Sequence, residues 1–230
     1  MEYTLTKLLA VNAVSFALVA AFLVAARQLK WGRRTEIALG IIAVAGWCYM
    51  QYWYVTRPDF KPTDDYPLHV CDFSAAFAAL SLLLAWRPMK TLLYFTAPFA
   101  VMAFITPTTE AYPNETAFWL FWIGHACILG LMAYIVWIRG YRPARRDFQF
   151  AILVGTIYFL AMFGCNWAFD FNYAYVGKKG PPFPLGGWPW HGLVIYIIML
   201  LVFLFLWKVG SRGEVKRSED AGRSHRHKGS

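Results

Sequence analysis

The sequence predicts an all-α polytopic membrane protein, a bundle of seven transmembrane helices with the N-terminus outside and the C-terminus in the cytoplasm. Composition is the first observation behind this prediction, because 59% of the 230 residues are hydrophobic, 19% are aromatic and only 15% are charged. Soluble domains carry about 25% charged residues. The other two observations are a series of long apolar runs and an uneven distribution of Lys and Arg among the connections.

Seven apolar runs are long enough to cross a hydrocarbon layer of about 30 Å at about 1.5 Å per helical residue. In chain order they cover roughly 4–26, 36–55, 67–86, 91–106, 117–138, 149–169 and 190–208. The fourth run is short and contains Pro98, so we expect it to be tilted, kinked or partly re-entrant. The connections are brief, which predicts one membrane domain over 1–210 and a basic, disordered tail over 211–230.

The basic residues predict the orientation of the bundle. Seventeen of the 22 Lys and Arg lie in alternate connections, at 27–34, 87–90 and 139–146, and in the segment that begins at Lys208. Because Lys and Arg are enriched in cytoplasmic loops, these segments are predicted to be cytoplasmic. The same arrangement accounts for the formal net charge of +9, which therefore requires no nucleic-acid partner.

The hexapeptide Pro67-Leu68-His69-Val70-Cys71-Asp72 is the most informative motif of the chain, since it stands where an aqueous connection meets the third apolar run. Ionisable residues at membrane depth are costly, and a functional site is the default hypothesis for them. Pro67 is predicted to lie in the first helical turn, where a missing N–H has no cost. On a helix His69 and Asp72 share a face but His69 and Cys71 do not. We therefore expect the base for Cys71 to come from a neighbouring helix.

Further polar residues are predicted to lie at the same outer end of the bundle. His125 lies eight residues into the fifth run, while the inner ends of the runs carry no comparable polar group. The residues around the last connection are predicted to bind substrate; they are Asn166, Asp170, Trp188, Trp190 and His191. The two tryptophans also fit an aromatic belt at the membrane surface.

Each candidate also has a purely structural interpretation. Cys71 would then be a small buried hydrophobe. His69 and Asp72 would form a local hydrogen bond at the start of the helix, and His125 would form a hydrogen bond between helices. The four cysteines show neither a disulfide framework nor the close spacing of a structural zinc site.

The motifs resemble those of the YwaF-like family of bacterial integral membrane proteins. The resemblance covers roughly 1–210 and rests on Pro-Leu-His-x-Cys-Asp, the lone His125, Asn166 and the Trp188-Pro189-Trp190 start of the last run. That family is distantly similar to eukaryotic multi-span lipid acyltransferases with an intramembrane cysteine and histidine. The resemblance implies Cys71 as nucleophile, His125 as base, membrane lipid as partner and a bacterial cytoplasmic membrane as location.

Three functions are compatible with these residues. The favoured one is thiol-dependent acyl transfer or hydrolysis on an outer-leaflet lipid, with no cofactor and with Asn166 or His191 stabilising the oxyanion. Its catalytic residues would be Cys71, His125, His69 and Asp72. The second is a non-enzymatic transporter or sensor that uses the His/Asp set. The third is a zinc-dependent intramembrane hydrolase, whose ligands would be His69, Asp72, His125 and His191.

Overall fold

The computed structural model describes residues 5–63, 65–105 and 114–227, with side chains between 6 and 211. These residues form helices and turns without a strand, which confirms the all-helical prediction for this part of the chain. The α-helices are α1 (Leu5–Gln28), α2 (Arg33–Thr56), α3 (Val70–Leu83), α4 (Arg87–Thr96), α5 (Ala100–Ile105), α6 (Glu115–Ala133), α7 (Arg145–Phe169) and α8 (Trp190–His227). A π-helical segment, Tyr134–Ile138, continues α6.

Five helical stretches within the described ranges are long and apolar enough to cross a membrane. They are Thr6–Gln28, Arg87–Ile105, Glu115–Ile138, Arg145–Phe169 and Trp190–Ser211. α3 is apolar but has only 14 residues, and α2, with 24 residues, is not among the five. The chain is therefore a multi-pass helical membrane protein. The number of seven spans stays a prediction, as does the boundary between membrane domain and tail, which falls inside α8.

α3 is shorter than the predicted third run. His69 precedes it with an extended backbone, φ −73° and ψ 154°, so the helix begins only at Val70. The prediction that Pro67 occupies the first helical turn is therefore wrong. The backbone N–H of His69 donates to Oδ2 of Asp72 at 3.1 Å. This hydrogen bond caps the N-terminus of α3.

Pro98 interrupts the fourth run, as the sequence predicts. α4 ends at Thr96, a 3₁₀ turn covers Ala97–Phe99, and α5 begins at Ala100. Proline has no backbone N–H and clashes with the preceding turn, so a regular α-helix cannot pass through it.

The core lies where α3 packs against α2, α4 and α6, with α1 against α6 and α7 against α8. The buried residues of α3 are mostly small: Ser74, Ala78, Ala79, Ser81 and Leu82. Lipid tails are as apolar as leucine, so membrane helices associate through close packing rather than through a hydrophobic driving force. Small side chains let the neighbouring backbones approach α3, which explains how a helix of only 14 residues can lie at the centre of the core.

Contacts between the connections define two faces of the molecule. We call one the basic face; it contains the connections 29–32, 84–86 and 139–144. Arg87 donates there to the carbonyl of Arg142 at 3.0 Å. The opposite face contains the connections 57–69 and 170–189, which meet where the Tyr173 hydroxyl donates to the carbonyl of Pro62 at 2.6 Å. The basic connections identified in the sequence thus meet at one end of the bundle.

Candidate functional site

The candidate site lies at the opposite face, where Asp72 fixes the start of α3 against α2. Gln51 Nε2 donates to Asp72 Oδ1 at 3.4 Å, and the indole N–H of Trp47 donates to the Asp72 carbonyl at 3.1 Å. With the His69 N–H on Oδ2, both carboxylate oxygens have a donor. Asp72 therefore holds the backbone that carries Cys71 in a defined position.

Cys71 is half-buried and packs against the apolar core. Tyr54 of α2 and Tyr158 of α7 lie close enough to interact electrostatically with its sulfur. The Tyr158 hydroxyl donates to the carbonyl of Leu68 at 2.8 Å and so secures the segment before α3. Tyrosines from two other helices, α2 and α7, thus lie near the thiol.

His125 is buried on α6 and hydrogen-bonded within its own helix. Its Nδ1 lies 2.8 Å from the carbonyl oxygen of Phe121, and its ring packs on the Phe121 ring with centroids 4.1 Å apart. A carbonyl can only accept, so Nδ1 carries the proton and Nε2 of the neutral ring keeps its basic lone pair. His69 lies close enough for the two imidazoles to interact electrostatically. The structure therefore brings His69 of the hexapeptide near His125.

Asn166 and His191 hold the connection 170–189 in place. The Asn166 amide pairs with the backbone of Tyr173, donating to its carbonyl at 2.8 Å and accepting from its N–H at 3.0 Å. His191 Nε2 lies 2.8 Å from the carbonyl oxygen of Gly177 and donates to it. Both side chains are buried. These hydrogen bonds stabilise the loop, and the predicted contact with substrate stays a prediction.

The other three predicted substrate-binding residues lie on the surface of the opposite face. Asp170 is exposed and forms an ion pair with Lys178, Nζ to Oδ1 3.1 Å. Trp188 stacks on Phe163 with ring centroids 6.1 Å apart, while Trp190 is 68% exposed. Exposed tryptophans at the start of a membrane helix are typical of an interfacial belt.

Tyr173 is a central residue of this face that the sequence does not identify. It is fully buried, its hydroxyl donates to Pro62 and accepts from the N–H of Tyr66 at 2.9 Å, and its ring lies 5.1 Å from that of His69. One side chain thus joins both connections above the hexapeptide. No motif marks it, because it is one of 13 tyrosines in the chain.

The expectation that the inner ends carry no comparable polar group is wrong, and Glu36 is the first reason. This buried carboxylate at the basic face accepts from Arg139, Nε to Oε1 2.6 Å, and from the Tyr134 hydroxyl at 3.0 Å. Arg33 lies 3.5 Å from Oε2 and also donates to backbone carbonyls at the end of α3. Glu36 thus connects α2, α3 and the end of α6.

Asp147 is the second buried carboxylate of the basic face. Arg87 donates to it, Nε to Oδ1 3.0 Å, and so does Thr91 at 3.3 Å. Because Thr91 has a single proton, its 2.8 Å contact with Tyr141 must be donated by the phenol. Burial raises the pKa of Tyr141, which keeps this donor protonated. Neither Glu36 nor Asp147 could be identified from the sequence, because each resembles an ordinary polar residue near the start of a helix.

No three His, Cys, Asp or Glu residues in the described part of the chain come together as metal ligands. The four predicted zinc ligands do not form such a group, since His191 binds the loop backbone while Asp72 binds groups on α2 and α3. The geometry gives the zinc alternative no support.

No curated protein and no solved structure matches the chain. A model of the TMEM164 family matches residues 2–207, almost the whole length of the predicted membrane domain. The YwaF-like resemblance and its acyltransferase relatives stay predictions beside this match. The chain belongs to the TMEM164 family.

Proposed function

We propose that the chain is an intramembrane lipid-modifying enzyme that transfers acyl groups through Cys71, with His125 as general base. The observation that carries the proposal is the anchored imidazole of His125. Its Nδ1 is occupied by the Phe121 carbonyl, so its Nε2 is left as a proton acceptor in a buried position on a helix that packs against α3. A neighbouring imidazole is the usual means of activating cysteine as a nucleophile, and the proposal requires His125 Nε2 to reach the Cys71 thiol across the contact of α6 with α3.

The chemistry would proceed in two balanced steps. Cys71 attacks the carbonyl carbon of a lipid ester, its proton passes to His125 Nε2, a C–S bond forms and the ester C–O bond breaks. The imidazolium then protonates the leaving alkoxide, which departs as the hydroxyl of a lysolipid. In the second step an acceptor hydroxyl attacks the thioester carbonyl and His125 takes its proton. A new ester C–O bond forms, the C–S bond breaks, and the imidazolium returns the proton to the leaving thiolate of Cys71. Water as acceptor would give hydrolysis instead.

Stabilisation of the oxyanion needs a donor near Cys71. Asn166 and His191, the residues predicted for this role, direct their hydrogen bonds at the loop backbone. Tyr54 lies on α2, which packs against α3, and its phenol interacts electrostatically with Cys71 and Asp72. We assign the donor role to Tyr54 within this proposal.

The proposal includes seven spans, with α4 and α5 together as the fourth and the opposite face outside. α3 is then the shortest span, about 21 Å long at about 1.5 Å per residue. The non-helical residues before and after it complete its crossing. Non-helical backbone at membrane depth is tolerated where protein surrounds it, and α3 is surrounded by α2, α4 and α6. This places Cys71 in the outer half of the membrane, within reach of outer-leaflet lipid.

The test measures acyl transfer from a labelled phospholipid to a lysophospholipid by the purified full-length chain in liposomes. We expect Cys71→Ala to abolish transfer, and His125→Gln to lower it roughly 100-fold or more through loss of general base catalysis. Cys127→Ala is the matched control, because Cys127 is exposed on α6. Thermal unfolding in detergent checks that each variant is folded.

Mass spectrometry of the wild-type chain after exposure to donor lipid supplies a second readout. We expect a hydroxylamine-sensitive acyl adduct on Cys71. Full transfer activity in Cys71→Ala, or a wild-type chain with neither adduct nor transfer, would contradict the proposal. The transporter or sensor alternative predicts the latter result together with proton flux that depends on His69 and Asp72.

A further inference from the structure

A cavity of about 480 Å³ lies at the basic face, between the end of α1 and the end of the π-helical segment. Its lining residues are Ala26, Arg27, Lys30, Trp31, Trp137, Ile138 and Arg139. This volume is within the range of small-molecule sites, about 300–1,000 Å³. The cavity lies at the other end of the bundle from Cys71, so the inference drawn from it is independent of the proposed acyl transfer.

The charges around the cavity are positive and only partly compensated. Arg139 is paired with Glu36, and Glu36 is further held by Arg33 and Tyr134. Arg27 and Lys30 are exposed and form no ion pair or side-chain hydrogen bond with the described residues. Two cationic side chains of the lining are therefore available to an anion.

The cavity lies where two apolar stretches of membrane-spanning length end. The apolar stretches that border it end at Gln28 and at Ile138. Trp137 is 70% exposed, which is unusual for so large an apolar side chain on a surface that faces water. Trp31 is fixed against Phe22 with ring centroids 5.2 Å apart. Tryptophan is enriched at the membrane–water interface because one end of its ring is apolar and the other donates a hydrogen bond.

Two backbone irregularities lie beside the cavity. Lys30 has φ +46°, in the left-handed region that non-glycine residues rarely adopt. On the other side, the Arg139 N–H donates to the Tyr134 carbonyl five residues earlier at 3.1 Å, which is the hydrogen bond of a π-helix. π-helical turns are frequent at functional sites. Both irregularities lie on residues that line or border the cavity.

We propose that the cavity binds the phosphate group of an anionic phospholipid from the leaflet at the basic face. Arg27 and Lys30 would contact the phosphate, with Arg139 at the rear wall, while Trp31 and Trp137 would pack against the glycerol and the first acyl carbons. Basic pockets between membrane helices are suited to anionic headgroups. Guanidinium groups bind phosphate through charge-assisted hydrogen bonds.

The test compares two double variants of the full-length chain by native mass spectrometry from detergent, with phosphatidylglycerol as the probe. Arg27→Gln with Lys30→Gln removes two charges from the cavity. Arg34→Gln with Arg145→Gln removes two charges from exposed positions of the same face that do not line it. We expect the cavity variant to lose roughly tenfold or more in affinity for phosphatidylglycerol, and the control to lose less than about twofold.

Two further binding measurements identify the chemical nature of the bound ligand. Phosphatidylcholine has a phosphate but no net charge, and we expect it to bind the wild-type chain more weakly than phosphatidylglycerol. Inorganic phosphate at millimolar concentration should leave the lipid bound. Equal losses in the two double variants would overturn the proposal by indicating general attraction to the basic face. Complete displacement by inorganic phosphate would overturn the lipid as the occupant.

Discussion

Glu36 shows how a single buried carboxylate joins three helices of the basic face. Its side chain is 6% exposed, whereas that of its partner Arg139 is 39% exposed. The two members of the pair therefore differ in what their loss would leave behind. An arginine without its partner can turn toward water, but a carboxylate without its partner stays in the protein. A buried charge that loses its partner is strongly destabilising.

This asymmetry gives a prediction at the scale of one residue. We expect Arg139→Ala to lower the free energy of unfolding by about 2 kcal/mol, because Glu36 is left with Arg33 and Tyr134 alone. Glu36→Gln should cost only about 1 kcal/mol, since the amide oxygen still accepts from Tyr134. Thermal or denaturant unfolding in detergent measures both values.

The double variant Glu36→Gln with Arg139→Ala is the control for this pair. We expect it to be more stable than the sum of the single losses predicts, by about 1 kcal/mol, because it contains no unpaired carboxylate. Strictly additive losses would show that the two side chains do not interact in the folded protein.

The hexapeptide could be located from sequence because ionisable residues next to an apolar run indicate a membrane boundary. This inference needs no information on which helices pack together. The surroundings of Cys71 could not be predicted in the same way. Tyr54 and Tyr158 come from helices distant in the chain, and tyrosine is too common here to stand out. The ion pairs of Glu36 and Asp147 could not be predicted for a related reason. Their partners Arg139 and Arg87 are 103 and 60 residues away in the sequence.

At the scale of helices, the contact between α2 and α3 depends on a glycine. A Cβ at Gly40 would lie 2.7 Å from Cγ and 3.1 Å from the backbone nitrogen of Leu83. Neither atom is the flexible end of a side chain, so the helices would have to move apart. Gly46, on the same helix, has no atom within 4 Å of the corresponding position.

The two glycines form a matched pair for mutagenesis. We expect Gly40→Ala to lower the free energy of unfolding by about 1–3 kcal/mol through overpacking. Gly46→Ala should be neutral or stabilising by up to about 1 kcal/mol, because alanine favours the helix and meets nothing. Unfolding in detergent measures both. A Gly46 variant as unstable as the Gly40 variant would mean that helix backbone effects, and not the α2–α3 contact, determine the loss.

Helix existence was easier to predict than helix ends. The hydrophobic runs at 4–26 and 149–169 correspond closely to α1 and α7, because length and apolar content decide a membrane helix. The start of α3 was mislocated because the Asp72 carboxylate caps the backbone of His69 and so defines a start three residues after Pro67. Such a cap depends on one local hydrogen bond, which hydropathy does not record.

At the scale of the whole molecule, the two faces differ in the chemistry that holds them. The basic face is built around carboxylates with arginines, as at Glu36 and Asp147. The opposite face has one comparable ion pair, Arg57 with Asp65, and adds hydrogen bonds to loop backbone through Tyr173, Asn166 and His191. Excess arginine and lysine at one end is the pattern that sets orientation in a membrane. The fold and the charge distribution therefore favour the same arrangement, with the basic face in the cytoplasm.

The orientation can be measured directly. Seven spans place the termini on opposite sides of the membrane, so we expect a green fluorescent protein fused to the C-terminus of the chain to be fluorescent in bacterial cells. An epitope tag at the N-terminus should be removed by protease added outside spheroplasts. A second tag inserted after Gly186, in the connection 170–189 of the opposite face, should be equally sensitive.

Protection of the N-terminal tag together with cleavage of the second tag would instead indicate six spans, with α1 on the cytoplasmic side. In either case 27–34 and 139–146 share a compartment, as the contacts of Arg33 and Arg139 with Glu36 require. The stretch Thr6–Gln28 is long and apolar enough to cross the membrane, which is why we expect both tags to be cleaved.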